Sequence, residues 1–392
     1  MRTEGDFIKI NEWLLPLSWL YGLGVRFRNM MFNVGILKSR PYDIPVISVG
    51  NITVGGSGKT PHVEYLISLL SDKRKVAVLS RGYKRKSHGY VLATDGVTMR
   101  DIGDEPYQMR KKFKNIYIAV DKNRRHGIER ITSDEATKDT DVILLDDAFQ
   151  HRYVRPGINI LLVDYHRLII YDKLLPAGRL REPQDGKSRA DIVIVTKCPK
   201  DLKPMEYRVL TRAMGLYPYQ SLFFTSIEYC NLKALFGDKE MALSEIGNNT
   251  NILLLTGIAS PQQIVMDLEP YSKNIHPLTF ADHHQFTPKD VEEINRTFES
   301  LPEPRIIITT EKDGARLEGV EGLDTEVKNN IFVLPIKIKF MANGENVFNN
   351  KIISYVRENS RNSTLVKRAD DDSAADSHNS GHRPGTISFR NN

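Results

Sequence analysis

Cysteine is almost missing from this 392-residue chain, which has only Cys198 and Cys230. Two thiols exclude a disulfide framework and a cysteine-based zinc site, and they suit a reducing compartment. Long apolar runs are missing too. The longest uncharged stretch near the start, Trp13 to Val25, is interrupted by Pro16. It falls short of the ~20 residues a transmembrane helix needs. Glu4 and Asp6 spoil the basic start of a secretion signal, so the expected location is cytoplasmic. There is no aromatic-studded RNA motif, no helix-turn-helix pattern and no internal repeat. A net charge of +6 therefore points toward phosphorylated ligands or anionic lipid, or reflects a plain solvated surface, and not nucleic acid.

What is present is a glycine-rich loop, Thr53-Val-Gly-Gly-Ser-Gly-Lys-Thr60, between the apolar run Ile44 to Val49 and the helix-like run His62 to Leu70. A buried strand, such a loop and a helix N-terminus form a phosphate cradle. Backbone N–H groups close on phosphate oxygens only where no Cβ intervenes, hence Gly55, Gly56 and Gly58. Thr53, Val54 and Ser57 complete the expected nucleotide-binding stretch. Lys59 is expected to reach the outer phosphates, and the Thr60 hydroxyl to hold Mg²⁺. The strict motif wants glycine where Thr53 stands.

Buried strands alternate with helices downstream. Lys75 to Ser80, Asn115 to Val120, Val142 to Asp147, Ile158 to Val163 and Ile192 to Val195 read as strands. That alternation predicts an α/β protein: a P-loop NTPase-like parallel sheet with both faces covered. A second series, with strands near Ile252, Arg305 and Ile331, predicts a smaller α/β domain. The expected division is 1–40, 41–225, 226–357 and a disordered polar tail, 358–392. Residues 1–40 carry both tryptophans, many leucines and interspersed Lys9, Arg26, Arg28, Lys38 and Arg40. That spacing describes an amphipathic helix, either interfacial or packed on the protein's own core.

Several polar groups fall where ligands bind in open α/β sheets. Asp146 and Asp147 end an apolar strand, the place where P-loop enzymes keep the carboxylate that supports Mg²⁺, and Gln150 and His151 follow at once. Asp104 and Glu105 lie in a turn that opens a helix, where acids also serve as plain N-terminal charges. Asp282, His283 and His284 are the only adjacent acid–imidazole group. Arg179, Arg181 and Glu182 sit in a loop bracketed by glycine and proline, and Arg81 to Lys86 is a basic loop. Thr196-Lys197 follows a strand as in the guanine-reading Asn-Lys-x-Asp, but Pro199 occupies the aspartate position.

Taken in order, the motifs resemble those of the tetraacyldisaccharide 4′-kinase (lipid A 4′-kinase) family. They are Gly50-Asn-Ile-Thr-Val-Gly-Gly-Ser-Gly-Lys-Thr-Pro61, Ser80-Arg-Gly-Tyr83, Gly103-Asp-Glu-Pro106, Asp146-Asp-Ala-Phe-Gln-His151, Leu175 to Pro183, Phe280 to His284 and Thr310 to Asp313. Within that resemblance Thr53 is typical. The resemblance spans roughly residues 1–357, and several ordered matches carry far more weight than one. It implies a kinase that moves the ATP γ-phosphate to the 4′-hydroxyl of a tetraacylated disaccharide 1-phosphate in lipid A biosynthesis. It implies Asp104 as the catalytic carboxylate and His283 as its partner. Lys59, Asp147 and His151 would be further catalytic groups, with Mg²⁺ on Thr60 and one of the strand-end acids, Asp146 being the candidate. Arg81, Arg124 (with Arg125 adjacent), Gln150, Arg181 and Glu182 would face the substrate. The expected partners are the lipid substrate and an anionic membrane surface, with no obligate protein partner. The expected station is peripheral, on the cytoplasmic face of the inner membrane. A soluble small-molecule kinase and a nucleotide-driven switch are the competing readings.

Overall fold

The computed structural model describes residues 10–258, 261–282 and 284–360. A nine-stranded sheet dominates. From one edge it runs Ile336–Phe340, Ser221–Tyr229, Ile192–Thr196, Ile158–Asp164, Val46–Gly50, Val142–Asp146, Val76–Ser80, Tyr117–Val120, Val91–Leu92. The two outermost strands are antiparallel to their neighbours, and every other neighbouring pair is parallel. Val46–Gly50, Val76–Ser80, Val142–Asp146 and Ile192–Thr196 are buried throughout. That explains their unbroken Val/Ile/Leu runs: helices cover both faces, so neither face needs polar residues. The parallel strands end together, and their carboxyl edge carries the loops of interest.

A six-stranded sheet holds Glu240–Met241, Leu232–Ala234, Ile331–Leu334, Arg305–Thr310, Asn251–Thr256 and Ile275–Thr279 in that order. Phe298, Ile294, Leu253, Ile307 and Leu317 fill one of its faces. Two short segments connect the sheets. Tyr229 pairs with Ile336 in the large sheet, while Leu232 and Leu334 already lie in the small one.

The chain after Pro335 departs from expectation. Ile331 to Ile336 reads as one strand, yet Pro335 splits it. Proline has no N–H to give the ladder, and the chain changes sheet there. Ile336–Phe340 joins Ser221–Tyr229, and the helix Gly344–Asn359 buries Phe348, Ile352 and Val356 with Ile47, Val49 and Leu66. Residues 336–359 thus pack on the large sheet and not with the smaller unit that 226–357 was expected to form. Residues 221–241, around the expected boundary at 225/226, contribute strands to both sheets.

The helix Leu15–Asn33 docks beside the carboxyl edge, with Pro16 in its first turn, where a missing N–H costs nothing. Ser18 and Gly22 face inward. The Ser18 hydroxyl donates to the Leu174 and Leu175 carbonyls, and Tyr21 Oη donates to the Arg181 carbonyl at 2.8 Å. Phe32, in the helix's last turn, is buried, but most of its large apolar side chains point out: Trp19 is 76% exposed, Leu20 and Leu23 67% each and Phe27 58%. Among the described residues no helix is long and apolar enough to cross a membrane.

Candidate phosphate-transfer site

The loop between Val46–Gly50 and the helix Lys59–Leu70 is braced from several sides. Asn51 Nδ2 donates to Ser57 Oγ at 2.8 Å and to Thr53 Oγ1 at 3.2 Å. Thr53 forms an antiparallel bridge with Leu180, flanked by Arg181 N–H to the Ile52 carbonyl (2.7 Å) and Val54 N–H to the Arg179 carbonyl (2.8 Å). Thr53 is thus extended and paired, which is why no glycine is needed there. Gly55 and Gly58 do need to be glycine, with φ of 114° and 80°. A Cβ on Gly55 or Gly56 would meet nothing within 4 Å, so the loop presents bare backbone to open space. The helix that follows aims its N-terminal N–H groups and positive dipole end the same way.

On the neighbouring strand end, Asp147 takes a left-handed φ of 47°, which turns its carboxylate toward the loop. Its Oδ1 lies 3.6 Å from Lys59 Nζ, and its Oδ2 lies 3.7 Å from Arg181 Nη1. Asp146 is buried and accepts from Ser80 Oγ at 2.9 Å. Burial, with Asp147 and Glu105 nearby, pushes its carboxyl up to about 6. Arg124 is buried and donates to the Asp121 carbonyl (2.9 Å) and the Asp146 carbonyl (3.2 Å). Burial brings it down to about 10, still cationic at neutral pH. The His151 imidazole is lowered to about 4 by burial and by Arg124, Arg28 and Arg81; at neutral pH it is uncharged.

Asp104 starts the helix Asp104–Lys112 after Gly103, whose φ is 92° and where a Cβ would stand 2.9 Å from the Tyr83 carbonyl oxygen. That contact presses the Arg81-Gly-Tyr loop onto the Asp104 turn. Asp104 is buried against Arg316 of the helix Glu311–Leu317. Arg316 Nη1 also bonds Asp313 Oδ1 at 2.9 Å, and Asp313 Oδ2 accepts from the Gly257 N–H at 2.9 Å. Lys312 stands 3.7 Å from Glu105 and 3.2 Å from Asp282. The two sheets therefore meet through Asp104, Glu105, Lys312 and Arg316, and Asp282 comes with them. His283, next to it, lies outside the described residues.

The other expected site residues are scattered around this centre. Arg81 is exposed, and its charge is felt at Arg124 and His151. Gln150 offers its carbonyl to Arg28 at 3.2 Å. Glu182 is turned inward, 1% exposed and 2.5 Å from Arg189, so it ties its own loop down. Arg316 is a group that sequence reasoning passed over, while Lys312 enters it only within Thr310 to Asp313 and Lys197 only for a base-reading motif it does not complete. Lys197 Nζ donates to the Gly56 carbonyl and, at 2.7 Å, to Asp164 Oδ2. Its strand-end position beside a glycine-rich loop was the available signal.

Thr60, Lys59 and the strand-end acids fit a Mg²⁺–nucleotide: bare backbone, an ammonium and a buried carboxylate converge on one edge. Among the described residues no group of three or more His, Cys, Asp or Glu could hold a metal ion.

Parallel sheet, phosphate loop and strand-end carboxylates define a P-loop protein built for phosphoryl chemistry. The family model described as LpxK, tetraacyldisaccharide-1-P 4′-kinase, matches residues 10–357, and the chain belongs to that family. It is 58% identical over 364 residues to the tetraacyldisaccharide 4′-kinase of Phocaeicola vulgatus, across 92% of this chain and 100% of that one. It is 53% identical to that of Bacteroides thetaiotaomicron, across 93% and 98%. The crystal structure of LpxK from Aquifex aeolicus in complex with ATP superposes with a TM-score of 0.68 at 31% identity, covering 88% of this chain and 98% of that one.

Proposed function

We propose that this chain transfers the γ-phosphoryl group of ATP to the 4′-hydroxyl of a tetraacyldisaccharide 1-phosphate, at a membrane surface. The observation that carries the reading is the meeting of two halves. The phosphate loop with Lys59, Asp146 and Asp147 lies on one side, and Asp104, held by Arg316 from the second sheet, lies on the other.

In this reading the loop N–H groups and Lys59 take the phosphate oxygens, and Asp147 holds Lys59 in place. Thr60 and Asp146 would hold Mg²⁺, which would neutralise phosphate charge. The acceptor oxygen bonds to the γ-phosphorus as the bond to the β–γ bridging oxygen breaks, and ADP leaves. Asp104 takes the hydroxyl proton late in that step. Arg316 holds Asp104 in place, and His283 retains the partner role that the resemblance implies. Neutral His151, Arg81, Gln150 and Arg181 line the acceptor side. Buried Arg124 and Glu182 act instead by fixing the Asp146-Asp147 turn and the Arg181 loop. We divide the chain into an N-terminal helix, a large unit of residues 41–229 with 336–359, and a small unit of residues 232–334. The cleft between the units is the site.

The station we propose is the cytoplasmic face of the inner membrane, held peripherally by the helix Leu15–Asn33. Its small face is bonded to the protein and its apolar face is bare, a reversal of ordinary surface amphipathicity that suits the headgroup layer. Leu20→Glu with Leu23→Glu is expected to weaken co-sedimentation with anionic vesicles by about a hundredfold or more, since each leucine contributes about 1.5–3 kcal/mol when buried. MgATP affinity in detergent should not move. Equal sedimentation of variant and wild type would remove the anchor. The reaction itself is tested with purified protein in detergent, MgATP and the tetraacyl disaccharide 1-phosphate, with the new phosphate located by mass spectrometry. Absence of transfer, or phosphate at another hydroxyl, rejects the reading.

A further inference from the structure

Thr196 and Lys197 look like half of a base-reading motif whose aspartate is gone, and the proposed reaction gives them no work. Yet both turn toward the phosphate loop. Thr196 Oγ1 donates to the Ser57 carbonyl at 3.1 Å, and Lys197 Nζ donates to the carbonyl of Gly56. Two consecutive carbonyls of the loop are thus held from the end of the strand Ile192–Thr196. In a planar trans peptide the N–H lies opposite the C=O. Holding the oxygens of residues 56 and 57 on the strand side therefore directs the N–H groups of Ser57 and Gly58 to the other side. In this conformation the Ser57 N–H closes on the Gly55 carbonyl at 3.1 Å, within the loop.

Lys197 is itself braced. Its ammonium lies 2.7 Å from Asp164 Oδ2 at the end of the adjacent strand. Burial opposes ionisation of Asp164, but hydrogen bonds from His166 and the charge of Lys197 outweigh it and hold the carboxyl down at about 2. The Lys197 backbone has a left-handed φ of 57°, a conformation that side chains other than Gly, Asn and Asp rarely adopt. The fold accepts that strain at the one residue whose ammonium reaches Gly56.

We infer that Lys197 is a positioning residue for nucleotide binding: with Thr196 it pins the Gly56 and Ser57 carbonyls away from the phosphates and so presets the cradle. The inference rests on the nucleotide reading given above. Without the ammonium, the Gly56 carbonyl dipole is free to turn inward against an anionic ligand, and a charge-assisted hydrogen bond is lost, while Thr196 still holds the Ser57 carbonyl.

The test is MgATP affinity by calorimetry, with steady-state kinetics, on the full chain in detergent. Lys197→Gly is the informative variant, because glycine accepts the positive φ without strain; it also breaks the ion pair with Asp164 and so lowers stability by itself, and Asp164→Asn, which breaks the same pair but keeps the ammonium, is its control. MgATP affinity is expected to fall roughly 10- to 100-fold, with KM for ATP rising in parallel. kcat at saturating ATP and KM for the lipid acceptor should stay within about twofold. Lys197→Met should lose as much affinity, and Thr196→Val less. Lys197→Gly with wild-type affinity and KM overturns the inference, as does a loss confined to kcat or matched in full by Asp164→Asn. If the wild-type chain binds no MgATP, the nucleotide reading fails first and takes this inference with it.

Discussion

Lys59→Ala should lower kcat for phosphoryl transfer by about 10²–10³-fold, the usual loss when one preorganised group is removed from developing charge. The position makes the substitution clean. Lys59 is the first residue of the helix Lys59–Leu70, and alanine is the best helix former, so the helix should remain. The ammonium is held 3.6 Å from Asp147 and does not belong to the core. What disappears is a point charge beside the glycine loop. Asp147→Asn should cost less, since Arg181 shares that carboxylate at 3.7 Å and Lys59 keeps its charge. Kinetics and a thermal melt together check this. An unchanged kcat in Lys59→Ala places the reacting phosphate elsewhere.

The parts of this site legible in the sequence are those written in local spacing. A buried parallel strand is an apolar run, a phosphate cradle is glycines before Lys-Thr, and a strand-end acid follows its strand directly. The contacts that close the site are not local. Arg316 meets Asp104 across 212 positions, and Lys197 meets Gly56 across 141. No periodicity marks either. Helical spacing showed that Leu15–Asn33 has an apolar side, but not which way it turns. Ser18 and Gly22 decide that, because only small residues allow close approach: a Cβ on Gly22 would stand 2.7 Å from Leu174. Pro335 marks the chain's passage from one sheet to the other, and its missing N–H was the one sign of it. Of the expected tail, 358–392, Glu358 and Asn359 end the helix Gly344–Asn359, while residues from 361 onward and the His283 imidazole lie outside the described residues.

Asp104→Asn should lower kcat by about 10²–10⁴-fold, the range for removing a general base, with MgATP affinity unchanged. Asparagine keeps the shape and loses the proton acceptor. Arg316 sharpens the test. Its guanidinium is bonded to Asp104 and Asp313, and all three side chains are buried. Arg316→Met removes the cation between two buried carboxylates, and breaking a buried pair in this way costs about 3–5 kcal/mol. The same variant should lower kcat, because Asp104 then sits unaimed beside an uncompensated charge. If Arg316 acts on the reaction through Asp104, the double variant Asp104→Asn/Arg316→Met should be no slower than Asp104→Asn alone. It should also regain part of the lost stability, since one of the two stranded charges is gone. Chemical denaturation and kinetics on the four proteins decide it. Activity losses that multiply would mean that Arg316 touches the substrate itself. A kcat in Asp104→Asn within threefold of wild type would take the proton-accepting role from Asp104 altogether.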